Sequence, residues 1–371
     1  MAGRKEYVPA AAEMLANFDH VPSLDGLRAV SIWLVLLAHI VNQHFFPGGL
    51  GVLTFFVISG FLITRLLIGE RKRTGSVDVA EFYKRRFLRL YPAVVSFVLV
   101  VSVGFLVFAP SQFDINEPFW TLAYGANYLA VNRELHGPTM TMPFVPFWSL
   151  SVEEQYYLAF PLVILMTRGK LRPLFLIALA AYAVPLALRF TYATLWPQLL
   201  TPDNHYIYFR TETRIDSIAT GVLIAVACET ERGRKFVERL AHPLAFVAAI
   251  MVLLFCLGYR DTFFRETIRY TLENVAAATI LCSVVFSNRL WLVNWALNGW
   301  LTVWFGLVSY SLYVWHEVVA GVAPNVLAWL GVSAPAMLQK VLTFVPIIAA
   351  AAFSYYVVER PIRGLRARRQ R

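Results

Sequence analysis

Apolar runs of about 20 residues, the length that crosses a hydrocarbon layer, recur from Leu24 to Val357 with little between them. The longest polar stretch, 109–146, holds 38 residues at most, too few for a fused globular catalytic module. The runs read as helices near 24–44, 50–69, 87–108, 147–167, 173–190, 207–228, 243–259, 269–287, 299–319 and 335–357. Proline punctuates them at Pro47, Pro110, Pro146, Pro173, Pro202, Pro243 and Pro361. The 371 residues are 58% hydrophobic and only 15% charged, against roughly 25% charged in soluble domains. Mean hydropathy is +0.58. The expectation is an all-α integral membrane protein, a polytopic bundle of about ten transmembrane helices in one domain over 1–371. Its parts are a tail at 1–23, an extracytoplasmic loop at 109–146 and a basic tail at 358–371.

A net charge of +10 is compatible with a nucleic-acid surface, but cytoplasmic loops of membrane proteins also concentrate Lys and Arg. With the N-terminus inside and ten spans, 25 of the 33 basic residues fall on the inner side, including Arg71 to Arg73, Lys84 to Arg86 and the C-terminal arginines. An odd number of spans breaks that alternation. Both termini are therefore expected in the cytoplasm, with membrane lipids rather than nucleic acid as the basic surface's partner. Cys228, Cys256 and Cys282 have neither disulfide-framework nor zinc-site spacing, so no metal is expected. Met1 to His20 lacks the apolar core of a signal peptide. The two halves show no repeat, which counts against an inverted-repeat transporter.

Ionisable side chains inside a membrane are expensive and so are candidates for function. His39 lies about 15 residues into the first helix, roughly 22 Å from its inner end. Glu153 and Glu154 are six or seven residues below the outer start of the fourth helix, and Arg214 and Asp216 seven to nine below that of the sixth. His316 is about 17 residues up the ninth helix. Four helices thus bring two His, a carboxylate and an Arg/Asp pair to one level near the outer face. Each alone has a plainer reading: a buried His can serve a helix–helix hydrogen bond, and Arg214 can pair with Asp216. Glu153 and Glu154 project about 100° apart, so one of them at most faces a given partner.

Such a set suits proton transfer. A His works as a general base near neutral pH, and a carboxylate fixes its tautomer and steadies its imidazolium form. A hydroxyl deprotonated by His39 would attack an acyl carbonyl, with Arg214 or His316 steadying the oxyanion. The absence of a Gly-x-Ser-x-Gly elbow, and of any Cys accompanying the His, points to direct transfer. Arg28 precedes His39 by 11 residues, nearly three turns, on the same face and about 16 Å away. Arg86 and Arg89 share a face at the inner end of the third helix. A basic inner mouth of this kind suits a phosphorylated donor, although Lys84 and Arg85 also fit plain positive-inside charge or lipid headgroup binding.

The residues resemble the acyltransferase-3 family of membrane O-acyltransferases, chiefly bacterial, from end to end. Leu24-Asp25-Gly26-Leu27-Arg28-Ala29 followed by His39 is similar to its opening Arg-x10-His helix, and Gly51 to Ile63 to its second helix. Phe82 to Pro92 resembles its Arg-x-x-Arg segment, and Trp148-Ser149-Leu150-Ser151-Val152-Glu153-Glu154-Gln155 its most distinctive signature. Arg214-Ile215-Asp216, Tyr310-Ser311-Leu312-Tyr313-Val314-Trp315-His316 and Glu359-Arg360-Pro361 complete an ordered set. The resemblance implies transfer of an acyl group, usually acetyl from acetyl-CoA, to a hydroxyl of an extracytoplasmic or secreted glycan or glycoconjugate. It implies a multi-pass protein of the bacterial inner membrane with His39 and Glu153 as catalytic pair and Arg28, Arg86 and Arg89 toward the CoA. Arg214, Asp216, His316, Tyr313, Ser151 and Glu154 are the substrate or supporting residues. Some members carry an extracytoplasmic esterase-like domain; with 12 residues after Glu359, transfer is expected within the membrane domain or with a separate partner. The same buried groups also suit a proton- or ion-coupled transporter, which binding of a CoA thioester would separate from an enzyme.

Overall fold

A computed structural model describes residues 21–141, 143–201, 204–331 and 334–369. The expected tail 1–23 lies, up to residue 20, outside the described residues, as do residues 370–371 of the C-terminal tail. Among the described residues every regular element is helical. The long helices are α1 (Pro22–Ile40), α2 (Gly48–Thr74) and α3 (Val79–Phe108), then short α4 (Asn116–Leu122) and α5 (Ala126–His136). There follow α6 (Phe147–Met166), α7 (Leu171–Leu195), short α8 (Tyr206–Phe209), α9 (Thr211–Ala227), α10 (Glu231–Leu240) and α11 (Pro243–Gly258). The chain ends with α12 (Thr262–Glu266), α13 (Ile268–Phe286), α14 (Trp291–Leu297), α15 (Trp300–Trp329), α16 (Ala336–Phe353), a π-helical turn Ser354–Glu359 and α17 (Arg360–Arg369).

Six segments are long and apolar enough to cross a membrane: Ser23–Ile40, Gly48–Thr74, Val79–Phe108, Leu171–Leu195, Ile268–Phe286 and Ala336–Gly364. A seventh arises if α10 and α11, bent by 65° at their junction, count as one span. Of the other expected spans, α6 carries Glu153, Glu154 and Gln155, and α15 carries His316 and Glu317. The third, α9, has 17 residues and includes Arg214 and Asp216. Polar groups on these three helices lower an apolar signal that their length would otherwise give. On the outside of the bundle Leu99, Val100, Val103, Leu106, Val107 and Phe108 each expose more than half their surface. A continuous exposed apolar face of this kind belongs against lipid, and the chain is a multi-pass membrane protein.

Several expected boundaries move for local reasons. The span expected at 87–108 begins eight residues earlier, because the Asp78 side chain accepts from the Glu81 N–H and caps α3. Arg86 and Arg89 are therefore inside the helix rather than at its mouth. The segment expected at 207–228 is two helices broken at Arg210, whose extended backbone (ψ 136°) restarts the chain as α9. Pro361 does not stop the last helix. It has no N–H for the carbonyl four residues back, and the turn before it adopts π-type bonding from which α17 continues.

At the centre, α9 packs on α2 and α7, α15 on α1 and α16, and α1 on α2. Glycines make these crossings close. A Cβ on Gly221 would sit 2.0 Å from the Val57 carbonyl oxygen, and one on Gly60 would sit 2.0 Å from that of Ile218. A Cβ on Gly306 would sit at the same 2.0 Å from the Asp25 carbonyl oxygen. Without a hydrophobic drive between helices in lipid, such small-residue seams supply van der Waals contact. Replacing Gly221 by Ala forces α2 and α9 apart at ~1–3 kcal/mol, whereas a Cβ at Gly104 meets nothing within 4 Å. Thermal unfolding in detergent is expected to shift downward for Gly221→Ala and to stay unchanged or rise for Gly104→Ala.

Candidate active site

Helical geometry puts Arg28 and His39 on one face of α1, and each opens into a different cavity. His39 is in the last turn of α1, with its side chain 32% exposed. Its Nδ1 lies 2.9 Å from His316 Nε2 on α15. His316 is fully buried, and its Nδ1 is 2.7 Å from the carbonyl oxygen of Tyr313. A carbonyl only accepts, so His316 Nδ1 carries the hydrogen and its Nε2 presents a lone pair. His39 Nδ1 must then donate to it, which leaves His39 Nε2 as the unprotonated, basic nitrogen. Glu317 Oε1 is 3.3 Å from His39 Nδ1 and 3.6 Å from His316 Nε2. His39, His316 and Glu317 also bring three donor atoms within 4.8 Å of one another, a set of the kind that can hold a metal ion. The direct bond between the two imidazoles accounts for the short N···N distance without one.

Around the other end of α1, Arg28, Arg86 and Arg89 line a common cavity of about 80 Å³ with Glu153, Ser59, Tyr157 and Tyr313. Arg28 Nη2 donates to Ser309 Oγ at 3.1 Å, and the Arg86 guanidinium lies 4.4 Å from the centre of the Tyr157 ring. Glu153 accepts from the hydroxyls of Ser59 and Tyr157. Arg86 and Arg89 also line an adjoining recess of about 320 Å³ with Arg85 and Arg363. Glu359, the buried last residue of the π-helical turn, accepts from Arg363 at 2.8 Å and from Ser311. The recess is thus rimmed by four guanidinium groups.

Tyr313 joins the two ends. Its carbonyl holds His316, its ring centre is 5.5 Å from that of His316, and its hydroxyl meets Ser149 Oγ at 2.7 Å in the wall of the arginine cavity.

The residues singled out in the sequence therefore fall in several places. The three arginines line one cavity, and the two histidines meet. The carboxylate beside His39, however, is Glu317; Glu153 belongs to the arginine cavity. Glu154 faces a separate recess with Tyr83, Tyr91 and Tyr124, as the 100° step between neighbours requires. Ser151 Oγ is bonded back to the Phe147 carbonyl oxygen at 2.9 Å, within its own helix.

Arg214 and Asp216 do not pair. Two residues apart on a helix they point in nearly opposite directions, and Asp216 instead meets Arg189 of α7 at 2.8 Å, both fully buried. Arg214 is stacked against Tyr270 and Tyr208, 4.2 and 4.9 Å from the ring centres, and its guanidinium has no hydrogen-bond partner. Neither Arg214, behind those rings, nor His316, whose Nε2 is taken by His39, is placed as the expected oxyanion donor. The residues overlooked were Glu317, Arg189 and Arg363. The first two are ionisable groups inside apolar runs, the same signal that singled out His39.

The profile of the acyltransferase-3 family, described as an acyltransferase domain, matches residues 21–358. The chain belongs to the acyltransferase-3 family. It is similar to the O-acetyltransferase OatA of Staphylococcus aureus strain NCTC 8325 / PS 47, with 32% identity over 320 residues, 82% of this chain and 51% of that protein. OatA of strains COL and MRSA252 matches with the same figures. The chain thus spans about half the length of these relatives. No solved structure matches it.

The buried Arg189–Asp216 pair yields a direct test. Asp216→Ala leaves a buried guanidinium without its counter-ion, a change of ~3–5 kcal/mol. A large fall in unfolding temperature in detergent is expected, with partial recovery in the double variant Arg189→Met, Asp216→Ala.

Proposed function

We propose that this protein is a membrane O-acyltransferase that moves an acyl group, acetyl in the first instance, from acyl-CoA to a hydroxyl of an extracytoplasmic or secreted glycan or glycoconjugate. The observation that carries the reading is the pair of cavities at the two ends of α1, one rimmed by arginines and the other holding His39, separated by Tyr313 and His316. The family membership and the O-acetyltransferase names of its relatives support the same reaction. The protein has about ten spans in the bacterial inner membrane, with both termini cytoplasmic, so that the arginine cavity opens to the cytoplasm and the His39 cavity to the far side.

The phosphates of CoA bind at Arg85, Arg86, Arg89 and Arg363, a set of forked donors matched to phosphate oxygens. Arg28 lies deeper along α1, toward the thioester. The acceptor hydroxyl enters beside His39, whose Nε2 takes its proton as the oxygen attacks the thioester carbonyl carbon. The tetrahedral intermediate collapses with cleavage of the C–S bond, and the leaving thiolate receives the proton from His39. The products are the O-acyl ester and free CoA. During the step His39 carries a positive charge. The hydrogen bond to His316 keeps the ring in place, and the Glu317 carboxylate stabilises the imidazolium. Glu153 acts from the donor side, where Ser59 and Tyr157 fix it beside the arginines. No metal takes part.

Radiolabelled acetyl-CoA with purified protein in detergent tests this. Wild type is expected to consume the label, and His39→Ala to lose ~10²-fold or more of the rate. Glu317→Gln should lower kcat about tenfold, equivalent to 1.4 kcal/mol, with the KM for acetyl-CoA unchanged. A wild type that neither binds nor consumes acetyl-CoA or a longer acyl-CoA would rule the reading out and favour proton- or ion-coupled transport. Incubation with 1,10-phenanthroline should leave turnover intact. Inactivation reversed by added zinc would instead make the His39, His316 and Glu317 cluster a metal centre.

A further inference from the structure

The cavity that holds His39 has a volume of about 290 Å³, at the lower end of the range for small-molecule sites. Its wall is more basic than catalysis by His39 requires. Arg260 follows α11, Arg265 is in α12 and Arg269 is in the first turn of α13, and all three line it. Two carboxylates line it too, and both are engaged. Glu273 is 3.9 Å from Arg269 Nε, and Glu266 accepts from the Tyr270 hydroxyl at 3.4 Å. Among the described residues no carboxylate lies within 4.0 Å of Arg260 or Arg265. The Arg260 side chain donates to the His44 carbonyl oxygen at 3.3 Å, and the buried Nε of Arg265 has no partner.

Behind the wall, Arg214 stacks on Tyr208 and Tyr270, whose rings line the same cavity. This fully buried guanidinium makes no hydrogen bond and adds positive potential there, which it shares with Arg269 and Arg265 in facing the Glu273 carboxylate. In the membrane orientation given above, these cations are on the side that the positive-inside distribution leaves poor in Arg and Lys. Elsewhere on that side Arg133, Arg189 and Arg210 each have a carboxylate within 4.0 Å.

We infer that the acceptor is an anionic glycan unit. A carboxylate or phosphate on the sugar is held by Arg260 and Arg265, and the ring lies against the Tyr208 and Tyr270 wall with its reacting hydroxyl turned to His39. This rests on the acyltransferase reading and names the acceptor class for the same site. Guanidinium forks match carboxylate and phosphate oxygens in pairs, aromatic walls suit sugar faces, and the excess charge selects against neutral acceptors. An anionic lipid headgroup carries the same chemistry, so the test has to separate the two sources.

The experiment is acetyl transfer from acetyl-CoA in neutral detergent free of phosphatidylglycerol, with a glucuronic-acid tetrasaccharide and its carboxyl methyl ester as matched acceptors. The acid is expected to exceed the ester in kcat/KM by about tenfold or more. Arg260→Gln with Arg265→Gln should bring that ratio toward one, while the unfolding temperature shows that the double variant is folded. A ratio near one in the wild type overturns the inference, as does a preference unaffected by the double variant. So does hydrolysis of acetyl-CoA with transfer to neither acceptor. If the double substitution instead changes only the retention of added phosphatidylglycerol, the cations belong to a lipid headgroup site and the inference also falls. Failure to bind or hydrolyse acetyl-CoA at all is a different result, because it removes the acyltransferase reading itself.

Discussion

A polar side chain inside a bundle wrapped in hydrocarbon has to find its partner within the bundle, because lipid offers no hydrogen bonds. In this protein those partners lie on different helices and so fix where the helices sit. Asp216 on α9 needs Arg189 on α7, His39 on α1 needs His316 on α15, and Glu153 on α6 needs Ser59 on α2. The glycine seams between α2 and α9 and between α1 and α15 let these helices approach closely enough for those partners to meet. The same pairings divide the interior. His39 lines one cavity, the arginines, Glu153 and Tyr313 line the other, and His316 bridges His39 to Tyr313 between them. Two cavities linked through a chain of buried contacts follow from satisfying the buried groups.

Much of this was legible in the sequence, for a physical reason. A run of 20 apolar residues has one stable form in a bilayer, so the all-helical fold could be read directly. An ionisable group inside such a run stands out against it, which is how His39, Glu153, Arg214 and His316 came to attention. The i, i+11 spacing of Arg28 and His39 placed two ionisable side chains along one helix face, and the structure puts each into its own cavity.

What was not legible is which buried group meets which. Depth along a helix can be counted from the sequence, but rotation about the axis relative to neighbours cannot. Counted along their helices, Glu153, Arg214 and Asp216 fall at one level, yet the first faces arginines, the second two tyrosines and the third Arg189, while the carboxylate beside His39 is Glu317. Arg363 was read as one more charge in a basic tail. The π-helical turn at Ser354–Glu359 and the bond to Glu359 bring it into the arginine recess. Helix ends shifted where side-chain capping outweighed hydropathy, as at Asp78.

In the proposed reaction, donor and acceptor reach His39 from opposite ends of α1. The decisive measurement is a cryo-electron microscopy structure of the protein with bound acetyl-CoA. The phosphates are expected among Arg85, Arg86, Arg89 and Arg363, and the thioester carbon within about 4 Å of the space beside His39 Nε2. Acetyl-CoA seated in the cavity of Arg260 and Arg265, or with its thioester remote from His39, would contradict it.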